Sequence, residues 1–228
     1  MIALQDRVDA TPAALVEMQS SLCGTDAPGA RAAECAWAGR GATALVWAYE
    51  IAKQLRPDVQ LPEIIVPSSA CASVAATAIA AGCTPRFADV SASTALSQLQ
   101  HVQARKTDAT VGVLFVHLYG NTADLAPLQA WCEQHKLTLI EDCAQALGAR
   151  LPDGNAVGSV GDLAVYSFSP TKILEAGGGC LVARGDSRAQ LSSVVRPVAA
   201  SLSLDERREL SLSFRNLHHG LMPLIRLG

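Results

Sequence analysis

Between Arg40 and Ala183, apolar runs of strand length alternate with segments of helical period. That alternation restricts the chain to α/β architectures with a largely parallel sheet. Ala44, Leu45, Trp47, Ala48, Ile51, Ala52 and Leu55 repeat at helical spacing within Arg40–Leu55. Glu63–Pro67 is a short apolar strand, and the small-residue helix Ala72–Ala81 behind it is stopped by Gly82. Strands are expected at 85–90, 109–116, 137–142, 163–168 and 180–183, with a helix over 125–135. Half of the 228 residues are hydrophobic but only 4% are aromatic. Alanine and valine supply much of the core, as buried parallel strands crossed by close-packed helices require. Residues 1–35, Ala-rich and broken by Gly24, Pro28 and Gly29, are expected to form an N-terminal arm. Residues 36–190 form the expected large domain, and 191–228 a C-terminal helical segment with a helix candidate over 201–228.

The charge is nearly balanced, 18 Lys+Arg against 21 Asp+Glu, without a long basic run. Nothing in it favours nucleic acid or an anionic membrane surface. Seven cysteines, an odd number, show no metal-ligand spacing. Met1–Leu4 runs straight into Gln5-Asp6-Arg7, so no secretory leader is expected. The longest apolar stretch, 70–82, is too short to span a bilayer. The expected location is cytoplasmic, with the cysteines reduced.

Against this background one constellation carries chemistry. Asp142 ends the apolar strand 137–142, Ser167 lies near the end of 163–168, and Lys172 follows, shortly before Gly177-Gly178-Gly179. An acid at a strand end, a serine and a lysine on a small-residue loop are what a pyridoxal phosphate (PLP) site requires: Lys172 for the Schiff base, Asp142 for the pyridinium nitrogen, Ser167 for the phosphate. Ligands of open α/β sheets bind beyond the carboxyl ends of strands. There Asp142, screened from water and close to a cation, is expected to be ionised; its bland alternative is a turn cap. Lys172 is one of four lysines, and its setting predicts partial desolvation, which lowers an amine's pKa and frees it to attack an aldehyde. Gly41 and Ala42, opening the 44–55 helix, supply N–H groups for a phosphate. Gln145 lies within reach of the ring's phenolic oxygen, or else satisfies loop backbone. His117 reads as a hydrogen-bonded structural histidine in preference to an acid/base residue.

Several ordered segments resemble one family. They are Val116-His117-Leu118-Tyr119-Gly120 with Ala123-Asp124, then Glu141-Asp142-Cys143-Ala144-Gln145, then Gly161-Asp162 with Ser167-Phe168 and Thr171-Lys172. With Ile65–Ser68 and 81–90, they resemble the DegT/StrS sugar-nucleotide aminotransferases, of aspartate-aminotransferase fold type I, from about Arg40 to Ala183. The resemblance implies a three-layer large domain with a mostly parallel central sheet, the small C-terminal domain of the family being missing from this chain. It implies PLP as cofactor, a homodimer with sites at the subunit interface, and transfer of an amino group, usually from glutamate, to a keto group of a nucleotide-linked sugar. Carried over by position, Lys172 is the Schiff-base lysine and proton shuttle, and Asp142 the pyridinium partner. Gln145 lies near the phenolic oxygen, with Ser167, Gly41 and Ala42 near the phosphate. Known dehydratases resembling the family carry His in place of the lysine, so Lys172 argues for transamination.

The chain departs from the family pattern in two places within the matched region. Where an aromatic usually stacks on the cofactor ring it has Ser69-Ala70-Cys71, and the loop after the lysine lacks an acid among its glycines. The competing expectation is a non-catalytic or fragmentary PLP-fold protein that acts by dimerisation or ligand sensing.

Overall fold

A computed structural model describes residues 32–173 and 178–200, with the side chains of 196–200 excepted. Residues 1–31 of the expected arm, Gly177 of the triple glycine and the helix candidate over 201–228 lie outside the described residues. In chain order the elements are β1 (Ala33–Ala38), α1 (Gly41–Gln54), β2 (Glu63–Pro67), α2 (Ala72–Ala80), β3 (Thr84–Ala88) and α3 (Leu99–Gln103). β4 (Thr110–Val116), α4 (Ala126–Gln134), β5 (Thr138–Asp142), β6 (Leu163–Ser167), β7 (Gly179–Arg184) and α5 (Ser187–Ala200) complete them.

The strands form one seven-stranded sheet in the order β1-β7-β6-β5-β4-β2-β3. β3, β2, β4, β5 and β6 run parallel, β7 is antiparallel to β6, and β1 is antiparallel to β7. The fold is therefore mixed α/β with a mostly parallel sheet. β4, β5, β6 and β7 are buried along their whole length. This is why they read as continuous apolar runs and not as alternations.

Small residues let the helices approach. Ala44, Ala48, Ile51 and Ala52 of α1 have no exposed surface. A Cβ on Gly112 of β4 would stand 3.1 Å from the Thr138 carbonyl, 3.2 Å from Ile64 Cδ1 and 3.5 Å from Ala52 Cβ. A larger residue there would push α1 off the sheet, at about 1–3 kcal/mol for overpacking.

β1 was not expected. It starts at Ala33, inside the arm drawn from the sequence, and pairs with β7 from Ala33↔Arg184 to Ala38↔Gly179. Its sequence AECAWA buries Ala36 and Ala38. Alanine has little strand propensity, so pairing to β7 and not local preference makes this segment a strand.

The connection after β2 leads outward to β3, whereas that after β4 leads to β5 on the other side. The loops leaving the carboxyl ends of β2 and β4 therefore diverge, and a crevice opens between them.

Candidate active site

Glu141, the penultimate residue of β5, has no exposed surface and four hydrogen bonds. Its Oε1 accepts the N–H groups of Val160 at 2.8 Å and Gly161 at 2.6 Å. Its Oε2 accepts from Gly158 N–H at 2.8 Å and lies 2.8 Å from Nε2 of the equally buried His117. Burial pushes this carboxyl up most strongly. The His117 bond and charge, with the Gly161 and Gly158 N–H groups, more than offset that and hold it below the usual carboxylate range. The carboxylate thus ties the 158–161 turn, which feeds β6, to the ends of β4 and β5. Ligand atoms of His117, Glu141 and Cys143 lie within 4.8 Å of one another. Because both Glu141 oxygens already take two donors each, the cluster is a hydrogen-bond hub. Its only sequence signal is an acid inside an otherwise apolar strand, directly before Asp142.

Asp142, next along β5, is almost wholly buried, and in register with Val116 of β4 and Val165 of β6. Its Oδ1 accepts Ala144 N–H at 2.9 Å, so the turn cap is made, and its carbonyl accepts His117 N–H at 3.1 Å. The sequence predicts that a nearby cation favours the ionised form of Asp142; in the cofactor-free chain burial is the larger effect. Burial pushes its carboxyl up, and the Ala144 N–H and the charges of Lys172 and His117 only partly counter it.

Lys172 is half-buried on the turn after β6, where its N–H bonds Ser169 O at 3.0 Å. Its charge reaches both Asp142 and Cys71. Cys71 is exposed at the start of α2, and the Ser73 hydroxyl donates to its Sγ at 3.4 Å. That hydroxyl first, the Ser73 N–H next, and with them the charge of Lys172 lower the thiol's pKa, while burial and Asp142 oppose them.

Gly41 and Ser167 are brought into direct contact. A Cβ on Gly41 would stand 2.6 Å from Ser167 Cβ and 2.9 Å from its Oγ, so only glycine fits there. Gly179 presses on Gly41 from the other side, where its own Cβ would lie 2.5 Å from Gly41 N. Gly41 and Ala42 open α1 behind Arg40, which makes no side-chain cap. First-turn N–H groups have no intrahelical acceptor, and here they adjoin a buried hydroxyl that bonds Ser169 Oγ at 3.2 Å. Gln145 is half-buried, and its Oε1 accepts Tyr119 N–H at 3.1 Å. The loop-backbone role weighed for it is therefore made, through the carbonyl end of its amide.

A model of the DegT/DnrJ/EryC1/StrS aminotransferase family matches residues 30–203. The chain belongs to this family. Among curated relatives, the UDP-N-acetyl-3-dehydro-alpha-D-glucosamine 3-aminotransferase of Acidithiobacillus ferrooxidans is 39% identical over 126 residues, 55% of this chain and 34% of that protein. The dTDP-3-amino-3,4,6-trideoxy-alpha-D-glucose transaminase of Micromonospora megalomicea subsp. nigra is 35% identical over 160 residues, 69% of this chain and 41% of that protein. Among solved structures, DesI in the presence of its TDP-sugar product superposes with a TM-score of 0.65 at 28% identity, covering 85% of this chain and 48% of that one. The chain thus spans less than half the length of each of these relatives.

The described residues fit the cofactor that this family membership suggests. A glycine cradle lies against a buried hydroxyl at a helix start, and a buried acid shares its edge of the sheet with a half-buried lysine.

Proposed function

We propose that the chain is the PLP-binding part of an aminotransferase that moves an amino group, from glutamate, to a keto group of a nucleotide-linked sugar. The observation that carries this reading is the placement of buried Asp142 at the end of β5 and half-buried Lys172 on the turn after the neighbouring β6, where the lysine's charge acts on that carboxyl. The names of the relatives support the sugar-nucleotide acceptor.

When bound, PLP supplies an electron sink for the carbon that carries the migrating amine. Lys172 would provide the amine that holds the cofactor and would move the proton at the reacting carbon. Asp142 keeps the pyridine nitrogen protonated. Beside a protonated ring nitrogen Asp142 would be favoured in its ionised form. The N–H groups of Gly41 and Ala42 and the Ser167 hydroxyl hold the phosphate, and the Gln145 amide donates to the phenolic oxygen. Glu141 orients the whole edge without touching cofactor. The reading includes a domain over 36–190 with an arm over 1–35, a homodimer with its sites at the interface, and a cytoplasmic setting. No described helix is long and apolar enough to cross a membrane.

The test is to add PLP to the purified chain, reduce with borohydride and map the label. A single pyridoxyl group on Lys172, lost in Lys172→Ala, is expected. Label scattered over Lys53, Lys106 and Lys136 would refute the site.

A further inference from the structure

The crevice between the β2 and β4 loops has one feature that the proposed chemistry leaves unused. Tyr119, just beyond β4, has φ 56° and ψ 26°, and Gly120 follows at φ 80°. Asn121 N–H bonds Leu118 O at 3.0 Å across them, so two successive left-handed residues turn the chain, as in a type I′ turn. Glycine, Asn and Asp occupy such positions with little strain, and tyrosine does not. Among the described residues the other non-glycine positions at positive φ are Ala95 and Lys136, and Lys136 has an ordinary reason. It lies just past α4, where Leu137 N–H closes the helix end on Cys132 O.

The turn that carries Tyr119 is held from three sides. Gln145 Oε1 takes its N–H at 3.1 Å. The backbone carbonyl of His117, whose ring is locked by Glu141, accepts Gly120 N–H at 3.3 Å. The Asn121 side chain donates to Thr94 O at 3.2 Å. The neighbouring Ala95 carbonyl accepts the Ser69 hydroxyl of the β2 loop at 3.1 Å. One short segment, Thr94-Ala95, therefore braces both walls of the crevice. The outcome is a tyrosine 79% exposed, its conformation fixed by residues of the site and its ring left uncovered. Backbone strain that the surroundings over-determine is concentrated at ligand contacts.

We infer that Tyr119 is a specificity-determining residue whose ring stacks on the acceptor, a nucleotide-linked sugar, in the crevice. This rests on the aminotransferase reading for the class of acceptor. An exposed aromatic face accepts a nucleobase or the C–H face of a pyranose, and stacking is the chemistry common to both.

The test is isothermal titration of the native chain, Tyr119→Gly and Tyr119→Phe with UDP-N-acetylglucosamine, dTDP-glucose and the free diphosphates UDP and dTDP. Glycine removes ring and strain together, so Tyr119→Gly should melt no lower than the native chain. Its Kd for the nucleotide sugar that the native chain binds should rise about fivefold or more, while Tyr119→Phe keeps the native value. Equal weakening toward the free diphosphate assigns the stack to the base, and weakening toward the nucleotide sugar alone assigns it to the sugar. Unchanged affinity in Tyr119→Gly overturns the inference, as does native protein that binds neither nucleotide sugar. Loss of a native dimer in Tyr119→Gly by sedimentation velocity, with affinity unchanged, also overturns it by making the ring a subunit contact. Pyridoxyl labelling of Lys172 is read separately, so the site can stand while this inference fails.

Discussion

Glu141→Gln tests the hub that holds the candidate site together. A glutamine keeps one carbonyl oxygen and replaces the other with an NH2 group. In its better orientation the oxygen stays with Val160 and Gly161, and the NH2 then faces Gly158 N–H and His117 Nε2. The Gly158 N–H is orphaned in a buried site, which costs roughly 1–3 kcal/mol. His117 must shift its proton to Nδ1, a buried atom without a hydrogen-bond partner. The two remaining bonds lose their charge assistance. The sum is about 2–4 kcal/mol, or a Tm lowered by roughly 5–15 °C for a chain of this size. The other orientation orphans two N–H groups and is worse.

The acid dependence provides an independent check. Glu141 is held below its unfolded value, so its contribution is present above about pH 4.3 and is lost as pH falls through the folded value. Melting by circular dichroism at pH 7 and in steps toward acid should show a gap between native and variant that closes as pH falls. A variant melting within about 2 °C of native at pH 7, or a gap that persists in acid, would refute the reasoning.

Asp142→Asn should behave in the opposite sense. In cofactor-free protein the raised Asp142 carboxyl makes stability fall as pH rises from about 3.9 through the folded value. Asparagine keeps the Ala144 bond, so the variant should melt at or above native near pH 8 yet release PLP in dialysis; a lower melt there would count against burial as the cause. Gly41→Ala drives a Cβ to 2.6 Å from Ser167 Cβ, which no side-chain rotation relieves. Urea unfolding should show a loss of about 1–2 kcal/mol, largely recovered in Gly41→Ala/Ser167→Gly; additive losses would mean the two sites are not in contact.

Much of the molecule was legible residue by residue. The runs of β2 through β7, the α1 spacing and the small-residue helix α2 came from local periodicity, with ends shifted by a residue or two. Lys172 and Asp142 stood out because an acid and a lysine at strand ends are chemically conspicuous. The short helix α3 has too few residues for a period to register. Glu141 and Tyr119 stand in the sequence only as neighbours within motifs, since neither burial in a hub nor a left-handed backbone has a one-dimensional signature.

What the sequence by itself determined is the alternation of elements and the identity of the groups offered to chemistry, because both depend on neighbours along the chain. Tertiary structure alone decided that β1 pads the edge of β7, that Gly41 and Ser167 share one cradle, and that Asp142 sits where burial outweighs its nearby charges. Those outcomes depend on which distant segments meet, and dielectric, contact distance and strand pairing are properties of that meeting.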